Sequence, residues 1–403
     1  MFGLCQLWSS KFNRSSDDDY HREIQIPRFF LGIIGIWPEH GETRSIRFYV
    51  SVTMVTLFAA LPRFMGLFTI VNENEFFFQV GVVMYQIYVI FAMLLLHFNS
   101  NVGRSILEEM RDNWKTTHSM EDKKVMRHYA EYSRKISLVT VAILSFGFIG
   151  NWLNPLIAKA IKGGHSLATV GTVEIPFLPS NPFGDALGNI AFYIARIIAA
   201  IPPIGIEPCL TVLIVHTCGQ LVILRNRITT YGGKIRHHFG EDISRMCSCL
   251  KCLVDSHVKI CDFVRRIDGY FHIVLFMRLF VGVIDFVCSG FEASKAITKG
   301  EYAHLMTFAL FTLLIYSTIL ISCSMAEMCQ QASYALGDAA YSTEWMTKHP
   351  RVSQRLTFII RQSRVPLKFT AGKYFVLSRS LFKECFLTGL SYISTLMTIK
   401  LGK

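Results

Sequence analysis

The chain has 403 residues, of which 51% are hydrophobic and only 17% charged, with a formal net charge of +12. Soluble proteins carry about 25% charged residues. The composition excludes a disordered chain and argues against a soluble enzyme.

The first 45 residues are polar and charged, with Asp17-Asp18-Asp19 and no apolar stretch of signal-peptide type. They read as a cytoplasmic N-terminal segment, 1–45. Seven apolar runs follow, at 46–71, 76–98, 136–158, 186–224, 270–290, 303–326 and 376–398. A backbone in lipid must satisfy its own hydrogen bonds, so each run is predicted to be a helix. The run from Phe76 to Phe98 contains 23 residues without a formal charge; as a helix it extends roughly 34 Å, enough to cross a bilayer. The run from Ala303 to Ala326 resembles it. The first run is interrupted by Pro62-Arg63, and the last carries Lys383 and Glu384. The fourth would be roughly 58 Å long as a single helix. It either breaks at Pro202-Pro203 or Pro208, or continues beyond the membrane.

Lys and Arg between the runs number six, zero, eight, two, nine, two and seven in chain order. Basic loops stay cytoplasmic, so the N-terminus is predicted inside and the C-terminus outside. The positive charge is thus a topology signal, and nucleic acid is not a predicted partner. This orientation is opposite to that of a G-protein-coupled receptor, the competing reading of seven spans. No Asp-Arg-Tyr follows the third run, no Asn-Pro-x-x-Tyr lies in the seventh, and the predicted outer loops hold no cysteine.

Charges inside the spans are costly and face protein or water. Arg278 and Asp285 lie seven apart on the fifth run, and Arg196 and Glu207 on the fourth; an interhelical ion pair is the expected use. Cys247, Cys249, Cys252, Cys261 and His257 do not follow a paired Cys-x2-Cys pattern, so no metal site is predicted. There is no phosphate-binding glycine loop, His-Glu-x-x-His or Gly-x-Ser-x-Gly, hence no predicted cofactor and no enzyme. No inverted repeat of transporter type is visible. The sequon Asn13-Arg14-Ser15 falls on the predicted inside, where it would stay unused.

Two stripes carry candidate sites. On the third run Ser145, Phe148 and Trp152 share one helical face, and on the second Tyr85 and Tyr88 are three apart. Aromatic stripes serve either packing or a pocket. The last run is the most polar, and its Ser391, Thr395 and Thr398 recur at i, i+4 and i+7. These hydroxyls face either another helix or water.

The C-terminal third reads Ala339-Ala340-Tyr341, Trp345, Pro366-Leu367, Thr370-Ala371-Gly372-Lys373, Phe375, Leu377-Ser378, Phe382, Ser391-Tyr392 and Leu396. This string resembles the C-terminal signature of insect odorant receptors, and Leu31-Gly32 with Gly35-Ile36-Trp37-Pro38 is similar to that family's N-terminal region. The resemblance implies an all-α membrane protein with seven transmembrane helices in the inverted topology. It implies a ligand-gated, non-selective cation channel of four subunits in the plasma membrane of olfactory sensory neurons, opened by a small volatile. Most members are odour-tuning subunits that assemble with a shared co-receptor. The 45-residue segment 225–269 is short for that co-receptor, so the chain resembles a tuning subunit. A homomeric, taste-receptor-like channel is the related alternative.

The resemblance further implies a ligand pocket in the outer half of spans 46–326. It adds Ile198, Phe308 and Phe311 to Tyr85, Tyr88, Ser145, Phe148 and Trp152 as candidate pocket residues. It implies a pore lined by 376–403, with the gate at Thr395 and Thr398, where the co-receptor carries an aliphatic residue and an amide. The segment 327–375 becomes a cytoplasmic anchor. Within it Val352, Leu356, Ile359 and Ile360 form the apolar face of a helix near 351–365, assigned to a subunit interface, and Pro366 ends that helix.

Overall fold

The computed structural model describes residues 15–38, 42–68, 73–161, 181–231, 249–298, 302–343 and 350–401; within these, the side chains of 151–161, Phe308 and Phe311, among others, lie outside the description. Helix α1 (Ser16–Ile33) starts at a reciprocal cap: Ser15 Oγ accepts from the Asp18 amide at 3.1 Å, and Asp18 accepts from the Ser15 amide at 3.3 Å. It ends where Gly35 takes a left-handed conformation (φ 72°), letting the Ile36 amide donate back to the Leu31 carbonyl at 2.9 Å. The Leu31-Gly32…Gly35-Ile36-Trp37 string is therefore a helix stop. Its Leu31 fills a notch at Gly205, where a Cβ would come within 2.7 Å of Leu31 Cδ2.

Each of the seven apolar runs forms a helix over most of its described residues. The first comprises α2 (Glu42–Met54), a π-helical stretch (Val55–Ala60) and α3 (Leu61–Gly66). Its Arg63 is buried; it donates to Gln79 Oε1 at 2.9 Å and lies 5.2 Å from the centre of the Phe192 ring. That is how a charge is accommodated at membrane depth. The second run is α4 (Glu73–Phe98). The amphipathic α5 (Ser100–Thr116) follows, burying Ile106, Leu107, Met110 and Trp114 along one side. Then come α6 (Met120–Ile161), α7 (Pro182–Thr229), α8 (Leu250–Thr298) and α9 (Tyr302–Ser342). Among the described residues, five stretches are long and apolar enough by themselves to cross a membrane: Ile46–Gly66, Phe76–Phe98, Met120–Gly150, Ala186–Thr229 and Leu250–Ser294. Helix α9 and the last helix, α11 (Arg379–Leu401), complete the set of seven.

The long helices outrun any bilayer. Helix α7 has 48 residues and α8 has 49, so each extends roughly 70 Å at 1.5 Å per residue. Pro202, Pro203 and Pro208 do not break α7; the fourth run continues past the membrane. Residues 202–219 are buried on every side, so neighbouring helices hold the rod where its own hydrogen bonds are missing. The extensions gather the basic segments at one end of the bundle. There Arg127 pairs with Asp19 at 2.8 Å, Arg227 with Asp122 at 2.5 Å, and Arg266 with Glu109. Glu23 is buried among them, accepting from Trp114 Nε1 at 2.8 Å, with His216 Nδ1 3.4 Å away.

Helix α10 (Pro350–Ser363) corrects one expectation. Its apolar face is fully buried, with Val352, Leu356 and Ile359 at most 4% exposed, but it packs on α9 beside Leu336, Ala339 and Ala340 of the same chain. It is thus unavailable to a neighbouring subunit. The opposite face carries the exposed Phe358.

Between α10 and α11 stand two short strands, β1 (Thr370–Ala371) and β2 (Phe375–Val376), the exception to an all-helical chain. Gly372 (φ 64°) and Lys373 (φ 67°) are both left-handed, and the Tyr374 amide closes on the Ala371 carbonyl at 3.2 Å. That is a type I′ hairpin turn. Asp268 of α8 accepts from the Thr370 amide at 2.6 Å, from its hydroxyl at 2.8 Å, and from Lys373 Nζ. The Gly372 amide donates to the His272 carbonyl at 2.8 Å. The Thr-Ala-Gly-Lys string is thus a clamp tying the base of α11 to α8. Ser378 then caps α11, accepting from the Leu381 amide at 3.1 Å.

Candidate ligand site

A cavity opens between α4, α6, α7, α8 and α9, with about 620 Å³ free of protein atoms, part of it open to the outside. Tyr85 and Tyr88 form one wall from successive turns of α4, with ring centroids 6.1 Å apart. Phe148 of α6 faces them, 6.2 Å from Tyr85. Ile143, Leu144 and Gly147 continue the α6 side, and Ile315 contributes from α9. Both tyrosine hydroxyls are buried without a hydrogen-bond partner among the described residues. The mix of aromatic wall and few polar atoms is typical of small-molecule sites.

The polar side of the cavity comes from α7 and α8. Arg278 is ion-paired with Glu207 across the two helices. Arg278 also donates to Thr318 Oγ1 at 2.6 Å and lies 3.4 Å from Ser322 Oγ, which donates to Glu207 Oε2 at 2.8 Å. The expected interhelical pair therefore joins Arg278 to Glu207. Arg196 lies instead 5.6 Å from the centre of the Phe192 ring. A buried pair is tolerated when its remaining hydrogen bonds are satisfied, and here two hydroxyls satisfy them. Arg278, Val281, Gly282 and Asp285 all line the cavity; their spacing of three, four and seven is one helical stripe.

Of the candidate pocket residues, the structure thus brings Tyr85, Tyr88 and Phe148 together. Ser145 is half-buried and does not line this cavity, nor does Ile198, which packs against the core. On α7 the lining residues are Pro203 and Glu207, more than a turn further along. The side chains of Trp152, Phe308 and Phe311 lie outside the described residues. The contribution of the fifth span was missed. Its signal was the Arg278–Asp285 spacing along one helical face, read there only as charges for an interhelical ion pair. In the cysteine-rich segment Cys247 lies outside the described residues, and His257 sits 3.7 Å from Cys261 one turn along α8.

Behind the cavity, α11 locks onto α8 through two reciprocal notches. A Cβ at Gly389 would overlap Phe286, and one at Gly290 would overlap Ile393. Residues 389 and 393 therefore face α8. Ser391 and Thr395, two positions on from each, point about 200° away. Ser391, Thr395 and Thr398 are exposed, and the threonine hydroxyls donate to their own helix, to the Ser391 and Ser394 carbonyls at 2.9 Å each. The stripe packs against no described helix of its own chain. Phe286 also meets Tyr316 (4.8 Å between centroids) and Phe386 (5.3 Å), and Tyr316 meets Phe382 (6.0 Å). Phe286 adjoins Asp285 and Tyr316 adjoins Ile315, so residues that line the cavity neighbour residues that grip α11.

The solved structure of the insect olfactory receptor OR5 from Machilis hrabei in complex with eugenol has a TM-score of 0.78 to this chain. It covers 93% of this chain and 97% of its own, at 18% identity. A second solved structure of the same receptor gives a TM-score of 0.76 at 16% identity. The two therefore share the seven-helix membrane fold. Odorant receptor 13a of Drosophila melanogaster is 24% identical over 201 residues, a match spanning 46%, about half, of each chain. The family model for the 7tm odorant receptors matches residues 72–387. It takes in the cavity, the clamp and the start of α11, and this chain belongs to the 7tm odorant receptor family.

Proposed function

We propose that this chain is the odour-tuning subunit of a ligand-gated, non-selective cation channel. It binds a small volatile in the cavity at Tyr85, Tyr88 and Phe148, and assembles with a co-receptor into a tetramer in the plasma membrane of olfactory sensory neurons. The observation that carries the proposal is the adjacency of that cavity to α11 through Phe286 and Tyr316. A ligand that repacks one side of α8 or α9 acts on the other side of the same helix, and packed interfaces shift between discrete states. The relative solved with eugenol carries a small aromatic molecule, and this cavity has an aromatic wall.

The last helix supplies the pore in this reading. Its hydroxyl stripe turns away from α8, as a water-facing lining does. Four such faces meet at one axis. Tyr334, Tyr341, Phe358, Val365 and Tyr374, all in the segment 327–375, are exposed, and in this reading they contact neighbouring subunits. The basic segments are cytoplasmic, which puts the N-terminus inside and the C-terminus outside. The short 225–269 segment favours the tuning role over that of the co-receptor.

The test is co-expression with a co-receptor in oocytes, recording current against a panel of volatiles. Odorant currents that need this chain and carry Na⁺ and K⁺ alike support the proposal. Responses that persist when this chain is omitted, or that need a G protein, overturn it.

A further inference from the structure

One acidic group in the cavity has no counterpart. Asp285 lines it, is only 9% exposed, and makes no hydrogen bond or ion pair among the described residues. Its Oδ1 lies 3.0 Å from where a Cβ of Gly81 would stand, so the carboxyl is pressed against α4 at the foot of the tyrosine wall. The nearby cation, Arg278, is already held by Glu207, Thr318 and Ser322. Asp285 therefore has no cation of its own among the described residues. The Tyr85 ring stands 6.1 Å from that of Tyr88 and 6.2 Å from that of Phe148, and all three line the same space. The Tyr85 and Tyr88 hydroxyls are unpartnered.

We propose that Asp285 makes this site selective for volatile amines, with the ammonium paired to the carboxylate and its apolar body held by the three rings. The inference rests on the reading of the cavity as the odorant site. Three features converge on an ammonium group. A carboxylate in an apolar cavity is costly without a counter-charge. Aromatic faces attract cations, most strongly when water is excluded. The unpartnered phenol oxygens can accept further N–H donors. A hydrocarbon or ether leaves the carboxyl unpaired, and a site built for a donor discriminates strongly against analogues that lack it.

The experiment compares 2-phenylethylamine, 2-phenylethanol and ethylbenzene, which share one apolar body, on the co-expressed receptor. The expected half-maximal concentration for the amine is at least about tenfold below that for the alcohol, with ethylbenzene weaker still. In Asp285→Asn the ratio of the amine's half-maximal concentration to the alcohol's, measured on the same variant, rises about tenfold to near one, since the amide keeps the volume and removes the charge. Surface staining and current evoked by a co-receptor agonist report assembly of the variant. If Asp285→Asn does not reach the surface, the wild-type ranking of the three compounds decides. An alcohol as potent as the amine, or an amine response unchanged in a well-expressed Asp285→Asn, overturns the proposal while leaving the channel intact. Absence of any current dependent on this chain overturns the reading beneath it, and the proposal with it.

Discussion

Replacing Asp268 with alanine removes the acceptor that holds the hairpin at the base of α11. The carboxylate receives the Thr370 amide at 2.6 Å, the Thr370 hydroxyl at 2.8 Å and the Lys373 ammonium. Hydrogen bonds to a charged group contribute about 1.5–3 kcal/mol each. The lysine side chain is 50% exposed, so its pairing adds less than about 1 kcal/mol. Bonds sharing one acceptor do not add, and a net loss of about 3 kcal/mol is the working figure. That loosens the hairpin locally by roughly a hundredfold, since 1.4 kcal/mol is tenfold. Hydrogen exchange on the reconstituted receptor reads this at the amides of Gly372, bonded to His272 O at 2.8 Å, and Leu377, bonded to Phe369 O at 2.9 Å. Both are expected to exchange about a hundredfold faster in Asp268→Ala, and less than about fivefold faster in Lys373→Ala. Rates within about threefold of wild type in Asp268→Ala would show that the turn holds itself and that the clamp is incidental.

A tag after Lys403 is expected to bind antibody on intact cells, and staining only after permeabilisation would reverse the topology. Thr395→Cys or Thr398→Cys should react with a water-borne thiol reagent and alter current, because thiolate forms only beside water; two variants that conduct normally and ignore the reagent would put the stripe against protein or lipid. Phe286→Ala empties the Gly389 notch, a change that costs about 3–5 kcal/mol in a packed core. It should raise the odorant concentration needed for current by tenfold or more at normal surface expression, whereas an unchanged response would sever the route from cavity to α11. Arg278→Met leaves Glu207 buried and unpaired, a loss of about 3–5 kcal/mol. Surface expression should fall, and the double variant Arg278→Met, Glu207→Gln should recover part of it; equal expression of all three forms would make the pair dispensable.

The seven apolar runs were legible because a span must be apolar all along its length, whatever surrounds it. What lay beyond them was less so. The extensions of α6, α8 and α9 are polar helices whose partners are other extensions, and only the assembled end of the bundle shows why they stay helical. The apolar face at Val352, Leu356 and Ile359 was visible as a period of 3.6, but periodicity states that a face is buried and not against what; α9 of the same chain covers it. That Tyr85 and Tyr88 share one helical face was legible from their spacing, but that Phe148 of another helix stands opposite them was not. Asp285 was seen as a buried charge and assigned to pairing, because the competition for Arg278 is decided by Glu207, 71 positions earlier. Gly290 and Gly389 gave no signal at all, since a glycine in a helix announces neither the knob it receives nor the helix that carries it.

The two notches also limit how α11 can move. Phe286 seats in Gly389 and Ile393 in Gly290, so each helix carries one key and one keyway, set about one turn apart. A piston stroke of α11 along α8 would drive both keys against backbone at once. Rotation about the helix axis would lift both together and lose their packing in one step. The clamp at Asp268 adds a third anchor to α8, below the two keys. The end beyond Thr395 lies past both keys and the clamp, and is the least restrained part of the helix.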